Sequence, residues 1–178
     1  MRHFLFAVPP LAILAGVCFA KLLMSGLNWP LKTAVSALIM VSAGMTVVDM
    51  VQLHPYQYVY FNRIFAGRLN RASQRFETDY WGCSYKEGAE WVIANYRPDT
   101  QERIRVANCS DMFLTEYYFD KSELVRQRFE SVRDDEDPLI FLATTRSRCH
   151  ERKKGRVLHV VERQSVPLLY VLELKSPP

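Results

Sequence analysis

From Phe4 to Met24 every residue is apolar, small or proline except Lys21, and from Thr33 to Leu53 the exceptions are Asp49 and Gln52. Each run is 21 residues long, and about 20 suffice to cross a hydrocarbon core as a helix. The charges sit near the ends of the runs, where a side chain can still reach water; at the centre it cannot do so cheaply. Between them, "SGLNWPLK" (Ser25–Lys32) reads as a short turn with Trp29 at headgroup depth. The pattern predicts a transmembrane hairpin, with helices over about 4–24 and 33–53.

A secretory signal peptide is the rival reading, because "MRH" precedes an apolar core and the small residue Ala20. Pro9-Pro10 breaks that core, Cys18 is an indifferent residue three positions from a cut, and a second apolar run comes soon after. "LAGVC" also misses a lipoprotein box, since Val17 stands where a small residue is needed. The hairpin is the better fit.

Past Leu53 the pattern changes. "LHPYQYVYFN" (Leu53–Asn62), if extended, puts Tyr56, Tyr58 and Tyr60 on one face. That suits an aromatic anchor at a water–lipid boundary more than a binding platform. "SYKEGAEWVIANY" reads as a helix: Ser84 and Glu87 form a capping box, Ala89, Trp91, Val92 and Tyr96 give an apolar face, and Pro98 bars continuation. "RIRVANC" (103–109) alternates as a strand, and "SDMFLTEYYF" reads as a second helix capped by Ser110. "VRQRFESV" (125–132) alternates again, and "PLIFLATT" (138–145) suits a buried strand. "RVLHVVERQSVPLLYVLELK" reads as two strands joined by a tight turn at Gln164 and Ser165. The expected fold class is therefore membrane-anchored α/β: two N-terminal transmembrane helices, then a small α/β domain with a mixed sheet and helices over one face. The expected divisions are 1–53 hairpin, 54–83 aromatic joint and 84–178 domain.

Charge sharpens this division. Residues 1–53 hold three of the 23 basic groups (Arg2, Lys21, Lys32) and one of the 19 acids, Asp49. The rest carries 23 − 3 = 20 basic and 19 − 1 = 18 acidic residues, so the net +4 splits evenly between the two parts. Such balance gives no reason to expect nucleic acid, which calls for a concentrated basic face. The basic stretch "RSRCHERKKGR" (146–156) reads as a solvated loop. Lys21 and Lys32 favour a cytoplasmic turn, which would place the segment after Leu53 outside the cytoplasm, and Arg2 opposes this from the other end.

Candidate chemistry is sparse. Four histidines (His3, His54, His150, His159) lack metal-ligand spacing, and no metal or cofactor is expected. Cys18 falls in an apolar run, and Cys83, Cys109 and Cys149 in the soluble part. Cys109 and Cys149 each follow an expected strand, so a disulfide between them is open in an oxidising compartment; unpaired, half-buried thiols are the favoured reading. In "FETDYWG", Glu77 and Asp79 would share a face beside Trp81 if extended, as groups binding sugar hydroxyls or working as acid and base. Two acids on one short segment with no facing partner make a poor hydrolase site. The favoured reading is a turn in which Asp79 caps backbone N–H groups while Tyr80 and Trp81 pack against the domain.

"HPYQYVYFN", "FETDYWGCSYKEGAEW", "RHFLFAVPP" (Arg2–Pro10) and the terminal "VPLLYVLEL" together resemble the C-terminal region of bacterial polytopic glycosyltransferases of the dolichyl-phosphate-mannose-protein mannosyltransferase-like family. The resemblance implies an inner-membrane, multi-pass enzyme that moves a sugar from a polyprenyl-phosphate carrier to an extracytoplasmic acceptor. Its catalytic acids lie in an early extracytoplasmic loop, whereas this sequence starts within what resembles a late helix, so no catalytic residue is carried over. The expected partners are the lipid bilayer, the polyprenyl-phosphate-sugar and the remaining membrane part of a split transferase. Residues put forward for substrate or carrier contact are Arg2, His3, His54, Glu77, Asp79 and Trp81; Trp29, Tyr56, Tyr58 and Tyr60 are put forward as interfacial anchors. The alternative is an independent small membrane protein with an extracytoplasmic partner- or glycan-binding domain.

Overall fold

The computed structural model describes residues 7–63, 65–98 and 102–174; Arg2 and His3 therefore lie outside the described residues. The first apolar run forms helix α1 (Val8–Met24) and the second α2 (Trp29–Gln52). Pro9 and Pro10 do not interrupt α1: they occupy its first turn, where a missing N–H leaves no hydrogen bond unmade. The turn between the helices is also shorter than expected. Trp29–Lys32 belong to α2, with Pro30 in the first turn and the Asn28 carbonyl accepting from the N–H groups of Leu31 and Lys32. With 24 residues, α2 is long and apolar enough to cross a membrane; α1 is an apolar helix of 17 residues.

The chain divides into two units, one ending at Val48 and one beginning at Asp49, so the last turn of α2 belongs to the second unit. That unit is a mixed α/β structure on a five-stranded sheet. Its strands are β1 (Ile104–Asn108), β2 (Phe129–Ser131), β3 (Ile140–Thr144), β4 (Gly155–Arg163) and β5 (Val166–Leu174), in the order β2-β1-β3-β5-β4. β1 runs parallel to β2 and β3, and β5 antiparallel to β3 and β4. The apolar run of β3 is buried at all five positions, which a central strand covered on both faces requires. Gln164 and Ser165 both take positive φ, +49° and +59°, and close the β4–β5 hairpin in the way the right-handed strand twist favours.

Alternation then sorts side chains between two cores. Ile104, Val106, Ile140, Leu142, Leu169 and Val171 face α4 (Ser84–Asn95), which presents Ala89 and Val92 to them. Contact there is close: a Cβ on Gly88 would stand 2.7 Å from Leu169 Cδ2. The intervening residues Ala107, Phe141, Ala143 and Leu172 form a smaller core on the opposite face with Val132 and Cys149. There Cys149, buried in a 3-10 stretch (Arg146–Glu151), is joined by a disulfide to Cys109 at the end of β1. The favoured expectation of unpaired thiols is thus corrected. β1 and β3 are adjacent and parallel, so the two cysteines leave the sheet at the same edge.

Three further expectations are corrected. Residues 125–132 are not one strand: α6 (Glu123–Arg128) precedes the short β2, and Ser122 Oγ accepts from the Val125 N–H at 3.4 Å to cap it. Ser110 caps no helix. Its N–H donates instead to Asn108 Oδ1 at 2.7 Å, and α5 (Phe113–Phe119) starts three residues later. "LHPYQYVYFN" is not extended either, since Gln57–Val59 coil into a 3-10 turn and separate the three tyrosines. A short helix α3 (Leu69–Ala72) lies between this stretch and α4.

Candidate functional site

The 3-10 turn at Gln57–Val59 sends two tyrosine hydroxyls into the domain. Tyr56 is 3% exposed and donates to Glu87 Oε2 at 2.7 Å. The same oxygen receives Arg163 Nη2 at 2.7 Å, and the Arg163 guanidinium stacks over the Tyr56 ring, 4.7 Å from its centroid. Arg163 Nε also donates to the His54 carbonyl at 3.0 Å. One arginine at the end of β4 thereby ties together the segment after α2 and the first turns of α4.

The Tyr58 hydroxyl donates to Asp79, which is fully buried. Asp79 also accepts from the N–H groups of Cys83 (3.0 Å) and Ser84 (3.3 Å) and from the Ser84 hydroxyl. The expected capping box is absent because Asp79, five residues before Ser84, satisfies the orphan donors of α4 from outside the helix, and Glu87 is free to meet Arg163. Four donors surround Asp79, leaving no open face for a substrate proton.

The electrostatics reflect this geometry. Burial, then the Asp79 charge, pushes the Tyr58 hydroxyl well above its ordinary value. Local desolvation and the Asp79 charge likewise raise the Cys83 thiol. For Glu87, burial alone would raise the carboxyl, but the hydrogen bonds from Arg163 and Tyr56 outweigh it and hold it below 4.5. His159, stacked on Trp91 with centroids 4.8 Å apart, is held below 6.5 by burial.

A second cluster lies at the last turn of α2. Arg63 grips Asp49 through two hydrogen bonds, and Gln164 Nε2 approaches the same carboxylate at 3.4 Å. Sequence reasoning missed the roles of Asp49, Arg63 and Arg163. A lone acid at the end of an apolar run is a usable signal for the first; no local pattern marks Arg163.

The other proposed contact residues do not converge. Glu77 is exposed, 3.8 Å from Arg146 and within hydrogen-bond reach of the Ser147 N–H and hydroxyl, whereas Asp79 points inward. They share no face, because the segment turns rather than extends, and cannot act as an acid–base pair. Trp81 is half exposed and meets Tyr80 edge-on, while Arg146 covers the half-exposed Tyr80 ring at 4.3 Å. The exposed His54 ring shares a hydrogen bond with Gln57 Nε2, at 2.8 Å. Trp29 is exposed, Tyr58 partly so, and Tyr60 half-buried, whereas Tyr56 belongs to the core and is removed from the anchor set. No cluster of metal-ligating side chains occurs among the described residues. The arrangement is a hydrogen-bonded joint, with chemistry suited to holding parts together. Comparison with family models, curated proteins and solved structures yields no match to the chain.

Proposed function

We propose that this chain is the C-terminal, membrane-anchored portion of a glycosyltransferase that moves a sugar from a polyprenyl-phosphate carrier to an extracytoplasmic acceptor. In this reading α1 and α2 form a transmembrane hairpin in the bacterial inner membrane, and the α/β domain lies on the extracytoplasmic side. No catalytic acid is assigned to the residues of this chain.

The observation that carries the reading is the interlock of the two stretches on which the family resemblance rests. Tyr56 of "HPYQYVYFN" bonds Glu87 of "ETDYWGCSYKE", and Tyr58 bonds Asp79. Both bonds hold the segment that follows α2 against α4 and the loop before it. The Cys109–Cys149 disulfide supports an oxidising compartment.

Co-purification in mild detergent tests the proposal. The chain is expected to bring down a polytopic partner, and the pair to transfer labelled sugar from a polyprenyl-phosphate donor while the chain alone does not. A chain that purifies without a partner and supports no transfer would replace this reading with that of an independent membrane protein bearing a partner- or glycan-binding domain.

A further inference from the structure

We propose that the surface made by Phe65, Arg68, Arg71 and Arg75 docks on anionic phospholipid headgroups and holds the domain flat on the bilayer that α2 crosses. The proposal rests on α2 being a transmembrane helix. From Met50 to Phe76 the chain carries Arg63, Arg68, Arg71 and Arg75 and not one Asp or Glu. Arg63 is spent on Asp49. Among the described residues the other three have no carboxylate within ion-pair distance.

Their placement is ordered. Residues 68–76 are wound helically: the N–H groups of Ala72, Ser73 and Phe76 donate to the carbonyls of Arg68, Leu69 and Ala72. Leu69 and Ala72 face inward and Phe76 stacks on Phe61 with centroids 5.4 Å apart. Spacings of three and four then put Arg68, Arg71 and Arg75 together on the outer side, and all three are exposed. Phe65, 89% exposed, projects from the loop just before them. Arg68 and Leu69 line the same small recess as Asp49 and Leu53, the residues at the C-terminal end of α2.

A bare phenylalanine beside three exposed guanidinium groups, of which Arg68 also acts on the Asp49 charge, matches a lipid interface better than open water. The ring gains by entering the acyl boundary, and each cation gains at an anionic surface. Arginine suits this role because its planar fork bonds phosphate oxygens two at a time.

The full chain with Phe65→Trp, reconstituted in nanodiscs containing lipids brominated near the headgroup, reads the docking directly. Quenching beyond that of the parent chain is expected in discs containing phosphatidylglycerol. It should fall in phosphatidylcholine alone, in high salt, and in the triple variant Arg68→Gln, Arg71→Gln, Arg75→Gln. Each arginine is worth roughly five-fold at an anionic surface, so the triple variant should lower the docked-to-undocked ratio roughly a hundred-fold. Equal quenching whatever the headgroup charge would overturn the proposal, as would none in a chain that co-migrates with the disc. A chain that does not enter discs at all would overturn the transmembrane reading as well.

Discussion

Arg63 closes on Asp49 in a two-pronged contact, Nε to Oδ2 at 2.6 Å and Nη2 to Oδ1 at 2.5 Å. The acid belongs to the last turn of α2 and the arginine to the segment that leads into the domain. The Asp49 side chain is only 7% exposed and that of Arg63 28%, so the pair is partly shielded from water and works as a clasp on the helix end.

Asp49→Ala should therefore leave Arg63 without its partner and destabilise the second unit. Removing one partner of a fully buried pair costs ~3–5 kcal/mol; with Arg63 partly solvated, about 2 kcal/mol is expected. Denaturation of the two single variants and of the Asp49→Ala, Arg63→Ala double variant checks this. Additive losses would mean the two groups are not coupled.

Asp79→Ala removes the acceptor for two hydroxyls and two backbone N–H groups at once. Leaving buried donors unsatisfied and α4 uncapped should cost about 3 kcal/mol. Asp79→Asn keeps one acceptor oxygen but turns its amide toward donors, so its midpoint in urea should fall between that of the parent and that of the alanine variant.

Reduction should loosen the face of the sheet opposite α4. The disulfide spans a sequence separation of 40, and closing a loop of that length in the unfolded chain is worth about 4 kcal/mol. Unfolding with and without reductant, against a Cys109→Ser, Cys149→Ser control that reductant should not affect, measures it.

Glu87 makes stability depend on pH. Its carboxyl is depressed by Arg163 and Tyr56 against the opposing effect of burial, so its contribution is full above the unfolded value of about 4.3 and lost as pH falls through the lower folded value. His159 adds a loss of the same sign at higher pH, because a histidine held neutral by burial must charge as pH drops below 6.5. Glu87→Gln should flatten the stability profile in the acid limb. The effect is small, on the order of 0.5 kcal/mol, since the Glu87 side chain is 38% exposed.

Ser165→Gly should stabilise the β4–β5 hairpin. Ser165 holds φ at +59°, which glycine adopts without strain. A gain of about 0.5–1 kcal/mol is expected in thermal unfolding. No gain would mean that the serine is already fully accommodated there.

Local pattern alone determined a good part of this protein. The two apolar runs, α4, the buried strand β3 and the tight turn at Gln164 and Ser165 are legible because each depends on short-range periodicity or on chain conformation within a few residues. The favoured role of Asp79 as a cap is legible for the same reason, since its backbone donors lie four and five residues away. Where two periodicities compete, as in residues 125–132, a pattern of single residues cannot separate a short helix running into a strand from one strand. Partners remote in sequence are beyond such reasoning. Glu87 meets Arg163 and Tyr56 instead of capping α4, and Tyr58 turns into Asp79 instead of lining a face of tyrosines. Cys109 meets Cys149 because β1 and β3 lie side by side. Tertiary packing decided these three matters, because only the folded sheet and its covering helix bring the groups within hydrogen-bonding or covalent reach.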